Sequence, residues 1–138
     1  MKNTKERNNK LMRLADEAVR KTGALFKENN KSDIAESYNG KIAGFSVSIA
    51  MSGLLPTLAM YYQDGDEKQV KTKVYLRNIL TVVSAMIAAD GAFDEKITDA
   101  KSLLEYAINN PQKEGDLKKE VIDCAIALKQ VVRTYNLE

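Results

Sequence analysis

Histidine and tryptophan are absent from the chain, and cysteine, proline and glycine are scarce. Without histidine the chain lacks the commonest general base and the commonest metal ligand, so no Ser/His/Asp or Cys/His catalytic arrangement can form. The few glycines fit neither a GxGxxG nor a GxxxxGK[ST] phosphate-binding pattern. We therefore expect a protein that is not an enzyme and has neither a metal site nor a cofactor, which leaves binding or assembly as its role.

The single cysteine, Cys124, cannot form an internal disulfide. Its apolar neighbours predict that it packs as a small buried hydrophobic residue, and the lack of disulfides is typical of the reducing cytoplasm. The charged N-terminus, MKNTKERNNKLMRLADEAVRK, has no apolar segment of the kind that secretory signals carry. We therefore expect a cytoplasmic protein.

The longest uncharged stretch runs from residue 42 to residue 63, which is 22 residues in a chain that is 29% charged overall. A membrane helix needs about 20 continuous apolar residues, but serine, threonine and glycine dilute this stretch. At its centre, Gly53 suits a helix C-cap and Pro56 suits the first turn of a following helix. The sequence therefore predicts no membrane span but two helices, at about 38–52 and 54–63, that form a buried central hairpin.

Apolar residues recur at helical spacing through most of the remaining chain. Few prolines interrupt this pattern, and the connections between its segments are short. The sequence therefore predicts an all-α fold, a compact single-domain bundle of about six helices covering residues 1–138. The other four helices are expected at about 4–27, 67–89, 94–109 and 116–136.

Charge is distributed unevenly along the chain. Residues 1–41 contain ten Lys or Arg and six Asp or Glu, whereas residues 42–138 contain eleven and thirteen. An acidic section extends from Asp90 to Asp123. This segregation permits an anionic partner at the basic front of the chain, although ordinary solvated helix faces produce the same pattern.

The acidic section opens with a stretch, at residues 90–95, that begins like a calcium loop. The third, sixth and twelfth positions of such a loop would be Ala92, Glu95 and Lys101, which do not fit the pattern. The stretch also resembles the Ala-Asp-Gly helix junction of TerB-like tellurite-resistance domains, small helical bundles with acidic metal sites, but their second acidic cluster is not evident. A simpler interpretation is a glycine C-cap at Gly91 followed by acidic N-cap residues of the next helix.

Two neighbouring stretches resemble a known family. YNGKIAGF at residues 38–45 and SIAMSGLLPTLAMY at residues 48–61 are similar to the small helical subunit, subunit five, of the type III-B CRISPR effector known as the Cmr complex. The specific part is the pattern Gly-Leu-x-x-Thr-Leu-Ala, which begins at Gly53. The segments 14–19 and 117–135 fit the first and closing helices of that family.

The resemblance implies an all-α, non-catalytic subunit that acts in antiviral defence. Copies would stack along a ribonucleoprotein and line the groove that holds the guide–target RNA duplex, with contacts to the RNA backbone. The implied partners are that duplex, other copies of the chain, and the large and backbone subunits of the complex. Three alternatives remain open: a TerB-like bundle in stress response, a type III-A small subunit, and a protein–protein adaptor without an RNA role.

Seven basic residues are candidates for the contacts with the RNA backbone. Four on the first helix share one side, because spacings of three, seven and eight residues return to about the same helix face. Two on the last helix are four residues apart and also share a face. If these helices lie side by side, as in the family, the bases form one stripe along a groove. The candidates are Lys10, Arg13, Arg20, Lys21, Lys41, Lys129 and Arg133.

Overall fold

Six α-helices pack together in the part of the chain that the computed structural model describes, which comprises residues 4–26, 33–63, 75–93 and 96–137. The predicted all-α bundle is confirmed. A short parallel pair of strands, Asp33–Ile34 (β1) and Asn136–Leu137 (β2), joins two distant segments. The helices are α1 (Thr4–Thr22), α2 (Ser37–Ser52), α3 (Leu54–Gln63), α4 (Leu76–Asp90), α5 (Ala100–Asn109) and α6 (Glu114–Val132), with a 3₁₀ turn at Pro111–Lys113.

The corner between α2 and α3 lies where the sequence predicts it. Gly53 has a positive φ of 96°, and its N–H donates to the Ile49 carbonyl at 2.9 Å. Pro56 occupies the first turn of α3, where its missing N–H removes no helix hydrogen bond. The hydroxyls of Ser48 and Thr57 are 2.9 Å apart across the corner. Among the described residues, no helix is both long and apolar enough to cross a bilayer.

Two buried tyrosines stabilise this hairpin, one by joining it to α4 and the other by joining its two helices. The Tyr38 hydroxyl accepts hydrogen bonds from the Tyr75 backbone N–H at 3.2 Å and from the Asn78 amide at 2.8 Å, which ties α2 to α4. The Tyr61 hydroxyl donates to the Lys41 carbonyl at 3.2 Å, and its ring lies 4.8 Å from that of Phe45. Each buried hydroxyl thus has a partner, as burial of a polar group requires.

Helix α6 is the central element, packing against α1, α2 and α4. It runs parallel to α1, since Asp123 contacts Arg7 near the start of α1 whereas Tyr135, just beyond α6, contacts Asp16 farther along. Cys124 is fully buried on α6, as predicted, and burial raises the pKa of its thiol. The largest fully buried side chains are Tyr38, Phe45, Leu11, Leu25, Ile34, Ile42, Ile49, Leu54, Leu58, Ile79, Leu80 and Met86.

Two helix boundaries differ from the prediction for local reasons. Helix α1 ends at Thr22 rather than near residue 27, because Gly23 adopts a positive φ of 62° and its N–H closes the last turn on the Val19 carbonyl. Helix α5 begins at Ala100 rather than near residue 94, because Asp99 forms a capping box with Ser102.

The other helices agree with the prediction at their described ends, with small differences. Helix α4 ends at Asp90, and Gly91 caps it in the left-handed conformation, as predicted. The predicted start of this helix, near residue 67, and the proposed N-cap residues 94–95 lie outside the described residues. Helix α6 ends at Val132, short of residue 136, because the chain turns at Thr134 and enters β2.

Candidate nucleic-acid interface

The outer face of α1 carries the four basic candidates of that helix. Its inner face buries Leu11, Ala15, Ala18 and Val19, and the opposite side is exposed. The structure therefore places the α1 candidates on a surface that a large anionic partner can approach. They are Lys10, Arg13, Arg20 and Lys21.

The four α1 residues differ in the charges around them. Lys10 Nζ lies 2.9 Å from Asp90 Oδ1, and Arg20 Nε lies 3.0 Å from Asp16 Oδ2. Arg13 and Lys21 form no ion pair with any residue in the described segments. A carboxylate partner neutralises part of the electric field of a cation. Of the four α1 residues, Arg13 and Lys21 therefore attract a phosphate group most strongly.

A polar network at the far end of α1 holds Arg20 in place. The Tyr135 hydroxyl donates to Asp16 Oδ1 at 2.6 Å, and the Arg20 guanidinium lies 5.6 Å from the centre of the Tyr135 ring. This hydrogen bond lowers the pKa of Asp16, while burial and the same bond raise the pKa of Tyr135 to about 12. The network keeps Arg20 pointing along the bundle surface next to the end of α6.

The candidates on α6 and α2 are only partly brought together. Arg133 follows α6 and is exposed; its Nε lies 3.4 Å from the Asn39 side chain in the first turn of α2. Lys129 is half-buried in the last turn of α6. Lys41 is two residues beyond Asn39, about 200° farther round α2, so it lies on another side of that helix. Arg20, which lies over Tyr135, and Arg133 are therefore near the same end of the bundle, whereas Lys41 and Asn39 are on different sides of α2.

Sequence reasoning missed a charged cluster at the opposite end of the bundle. Arg7 of α1 contacts Glu120, lies 3.2 Å from Asp123, and approaches Asp90 to 3.6 Å. Lys10 completes the cluster through Asp90, whose side chain is only 1% exposed. The acidic residues near Asp90 are thus supplied by α6. The sequence did carry one signal of this cluster: Glu120 is a charged residue at a position within the apolar stripe of α6.

An uncharged surface on the hairpin was also not anticipated. The hairpin buries one side in the core, but its outer side exposes Val47 and Met60, and leaves Met51 82% exposed. Two glycines, Gly40 and Gly44, lie on the same exposed side of α2. Val47 and Met51 are four residues apart and so lie next to each other on α2, and adjoining exposed apolar groups are typical of protein–protein contact surfaces.

A comparison with protein-family models identifies the family of the chain. The model described as CRISPR-associated protein (Cas_Cmr5) matches residues 7–135, which include parts of all six helices and all seven basic candidates. The chain belongs to the Cmr5 family. This confirms the resemblance found in the hairpin, and makes the chain a CRISPR-associated subunit of the Cmr complex. Searches of curated proteins and of solved structures each gave no match.

Proposed function

We propose that this Cmr5-family chain is a non-catalytic structural subunit of the type III-B CRISPR effector, and that it acts in the cytoplasm in antiviral defence. In this role, copies of a single helical-bundle domain, residues 1–138, stack along the guide–target RNA duplex and contact its backbone. Base pairing between guide and target supplies the sequence recognition. The family match over residues 7–135 is the observation that carries the proposal.

The exposed bases of α1 support contact with an RNA backbone. Arg13 and Lys21 are exposed, and Arg20 and Arg133 extend the basic surface toward the end of α6. One copy offers few such groups, so its own affinity for RNA is expected to be weak. Several copies on one duplex act at high effective concentration and multiply the weak contacts. Contacts of this kind give affinity that falls with salt and is independent of sequence.

The uncharged hairpin surface supports the protein contacts that stacking requires. Val47, Met51 and Met60 are exposed on α2 and α3, which are different helices from the one that carries four of the basic candidates. Methionine side chains adapt to different partner shapes. This surface is therefore suited to contact another copy or a larger subunit of the complex while α1 stays free for RNA.

Reconstitution of the complex with and without this chain tests the proposed role. Target-RNA affinity is measured for two guides of unrelated sequence, each with its own matched target. We expect omission of the chain to weaken binding by a similar factor for both guides, because the lost contacts are to phosphates. The isolated chain should bind the same RNA weakly and in a salt-sensitive way. A loss confined to one guide, or tight salt-insensitive binding by the isolated chain, would contradict the proposal.

A further inference from the structure

Two carboxyl groups from different helices are buried next to each other at the junction of α1, α4 and α6. Glu120 is 4% exposed, and the Asp90 side chain is 1% exposed. Glu120 Oε2 and both oxygens of Asp90 are inaccessible to solvent. The Lys10 ammonium lies 2.9 Å from Asp90 Oδ1, whereas Glu120 Oε2 accepts no hydrogen bond from a donor among the described residues. A buried carboxylate oxygen without a donor is costly, so this arrangement calls for a further hydrogen.

Among the described residues, three carboxylates and three cations meet at the junction, but one of the cations is largely exposed. Helix α1 contributes two cations, Arg7 and Lys10, to three carboxylates, those of Asp90 on α4 and of Glu120 and Asp123 on α6. Lys119 and Cys124 also face the junction, and a neighbouring cleft that Glu120 helps to line carries Tyr106, Lys113 and Asp116. Lys119 pairs with Asp123 at 3.6 Å but is largely exposed, so solvent screens it. Cys124 is buried and carries no positive charge.

We propose that one proton bridges Glu120 and Asp90, and that its loss as the pH rises makes the junction of α1, α4 and α6 a pH-sensitive element of the fold. The proton resides on Glu120, and the resulting hydroxyl donates to the Asp90 carboxylate. On deprotonation the proton leaves to solvent through the cleft of about 460 Å³ that Arg7, Tyr106 and Glu120 help to line. The junction then holds one more negative charge than its two α1 cations neutralise.

The environment of each carboxyl supports this assignment of the proton. Burial raises the pKa of Glu120 to about 7, and its hydrogen bond to Asp90 and the charge of Asp90 add to this effect, while Arg7 opposes it. Burial alone would raise the pKa of Asp90. The hydrogen bond from Glu120 and the contact with Lys10 outweigh it and lower the pKa of Asp90 to about 2. Two adjacent acids whose pKa values separate in this way share one proton.

The sign of the pH effect follows from the raised pKa of Glu120. Its folded-state pKa of about 7 lies above the ordinary value of 4.5. The contribution of Glu120 to stability is therefore fully present below the ordinary pKa and is lost as the pH rises through about 7. Between pH 5.5 and 8.5, this linkage lowers the folding equilibrium constant about 30-fold relative to a chain with an uncharged residue at position 120.

The first experiment is a carbon-13 NMR titration of the glutamate side-chain carboxyls in the full wild-type chain. We expect Glu120 to titrate near pH 7, well above the ordinary value of 4.5. The titration needs no variant, so its outcome is independent of whether any substitution folds. Titration of Glu120 near pH 4.5 would overturn the proposal.

The second experiment compares unfolding of wild type, Glu120→Gln and the exposed control Glu17→Gln from pH 5.5 to 8.5. The glutamine amide can donate to Asp90 as the protonated acid does, but it cannot ionise. We expect Glu120→Gln to gain stability relative to wild type as the pH rises, by about 30-fold in the folding equilibrium constant over this range. The control should keep the wild-type profile. Parallel profiles for wild type and Glu120→Gln would contradict the shared proton.

Discussion

The α2–α3 corner makes a strong prediction because Gly53 occupies backbone space that other residues avoid. Its φ and ψ of 96° and 164° belong to a region that is essentially restricted to glycine. A Cβ at this position would meet only Pro56 Cδ at 3.6 Å, which is an ordinary contact. The cost of Gly53→Ala is therefore backbone strain rather than a clash, and it should destabilise the fold by about 1–3 kcal/mol.

A glycine inside α2, the helix that Gly53 caps, provides the matched control. Gly40 lies within α2 without a positive φ, and a Cβ there would meet no atom within 4 Å. Gly40→Ala should stabilise the chain by about 0.5–1 kcal/mol, since alanine loses less backbone entropy in a helix. The two variants should thus differ by about 2–4 kcal/mol, with opposite signs relative to wild type.

Urea unfolding followed by the helical circular dichroism signal measures both variants. For a chain of this size, each kcal/mol corresponds to roughly 3–5 °C in Tm, so a thermal scan gives an independent check. Gly53→Val adds a β-branched side chain at the same backbone position, and we expect it to lose soluble expression. If Gly53→Ala were as stable as wild type while Gly40→Ala behaved as expected, the account of the corner would be refuted.

Three further predictions concern buried or hydrogen-bonded groups. Tyr38→Phe removes the hydroxyl that accepts from the Asn78 amide and from a backbone N–H, and should cost about 1–3 kcal/mol in urea unfolding; an unchanged midpoint would show that these donors find other partners. Cys124 is buried and the pKa of its thiol is raised, so a thiol reagent at pH 8 should react only after denaturation, and rapid reaction of the native chain would argue against burial. Tyr135→Phe removes the hydrogen bond that is the main cause of the lowered pKa of Asp16. The lowered pKa stabilises the fold above the ordinary pKa of an aspartate, and this stabilisation is lost as the pH falls. Carboxyl NMR of the variant should show a higher pKa for Asp16, and an unchanged pKa would exclude the Tyr135 hydrogen bond as the cause of the shift.

Local signals in the sequence were sufficient to predict the hairpin and the basic face of α1. Gly53 and Pro56 each act within one turn of chain, and the face of a helix follows from residue spacing alone. The end of α1 was missed although its signal, Gly23, is also local. The glycine lies within an apolar pattern that continues to Leu25 and Phe26, and periodicity alone therefore predicts a longer helix.

Features that join distant segments were beyond sequence reasoning. The pairing of β1 with β2 joins Ile34 to Leu137, and the contact of Arg7 with Glu120 spans most of the chain. Neither follows from helix periodicity, because both depend on α6 running parallel to α1. The same holds for Lys41, since its position relative to Arg133 depends on how α2 packs between α3 and α6.

The central claim is that the outer face of α1 contacts the RNA backbone in the assembled complex. The most direct measurement is the salt dependence of target-RNA affinity for complexes containing Arg13→Ala with Lys21→Ala. As a control, Lys101→Ala with Lys113→Ala removes the same charge from exposed positions on other elements. Each lost phosphate contact lowers the salt slope by roughly one unit, so the α1 pair should bind more weakly with a slope lower by about two, for any guide sequence. The control pair should keep the wild-type slope, and an unchanged affinity and slope for the α1 pair would remove α1 from the RNA path.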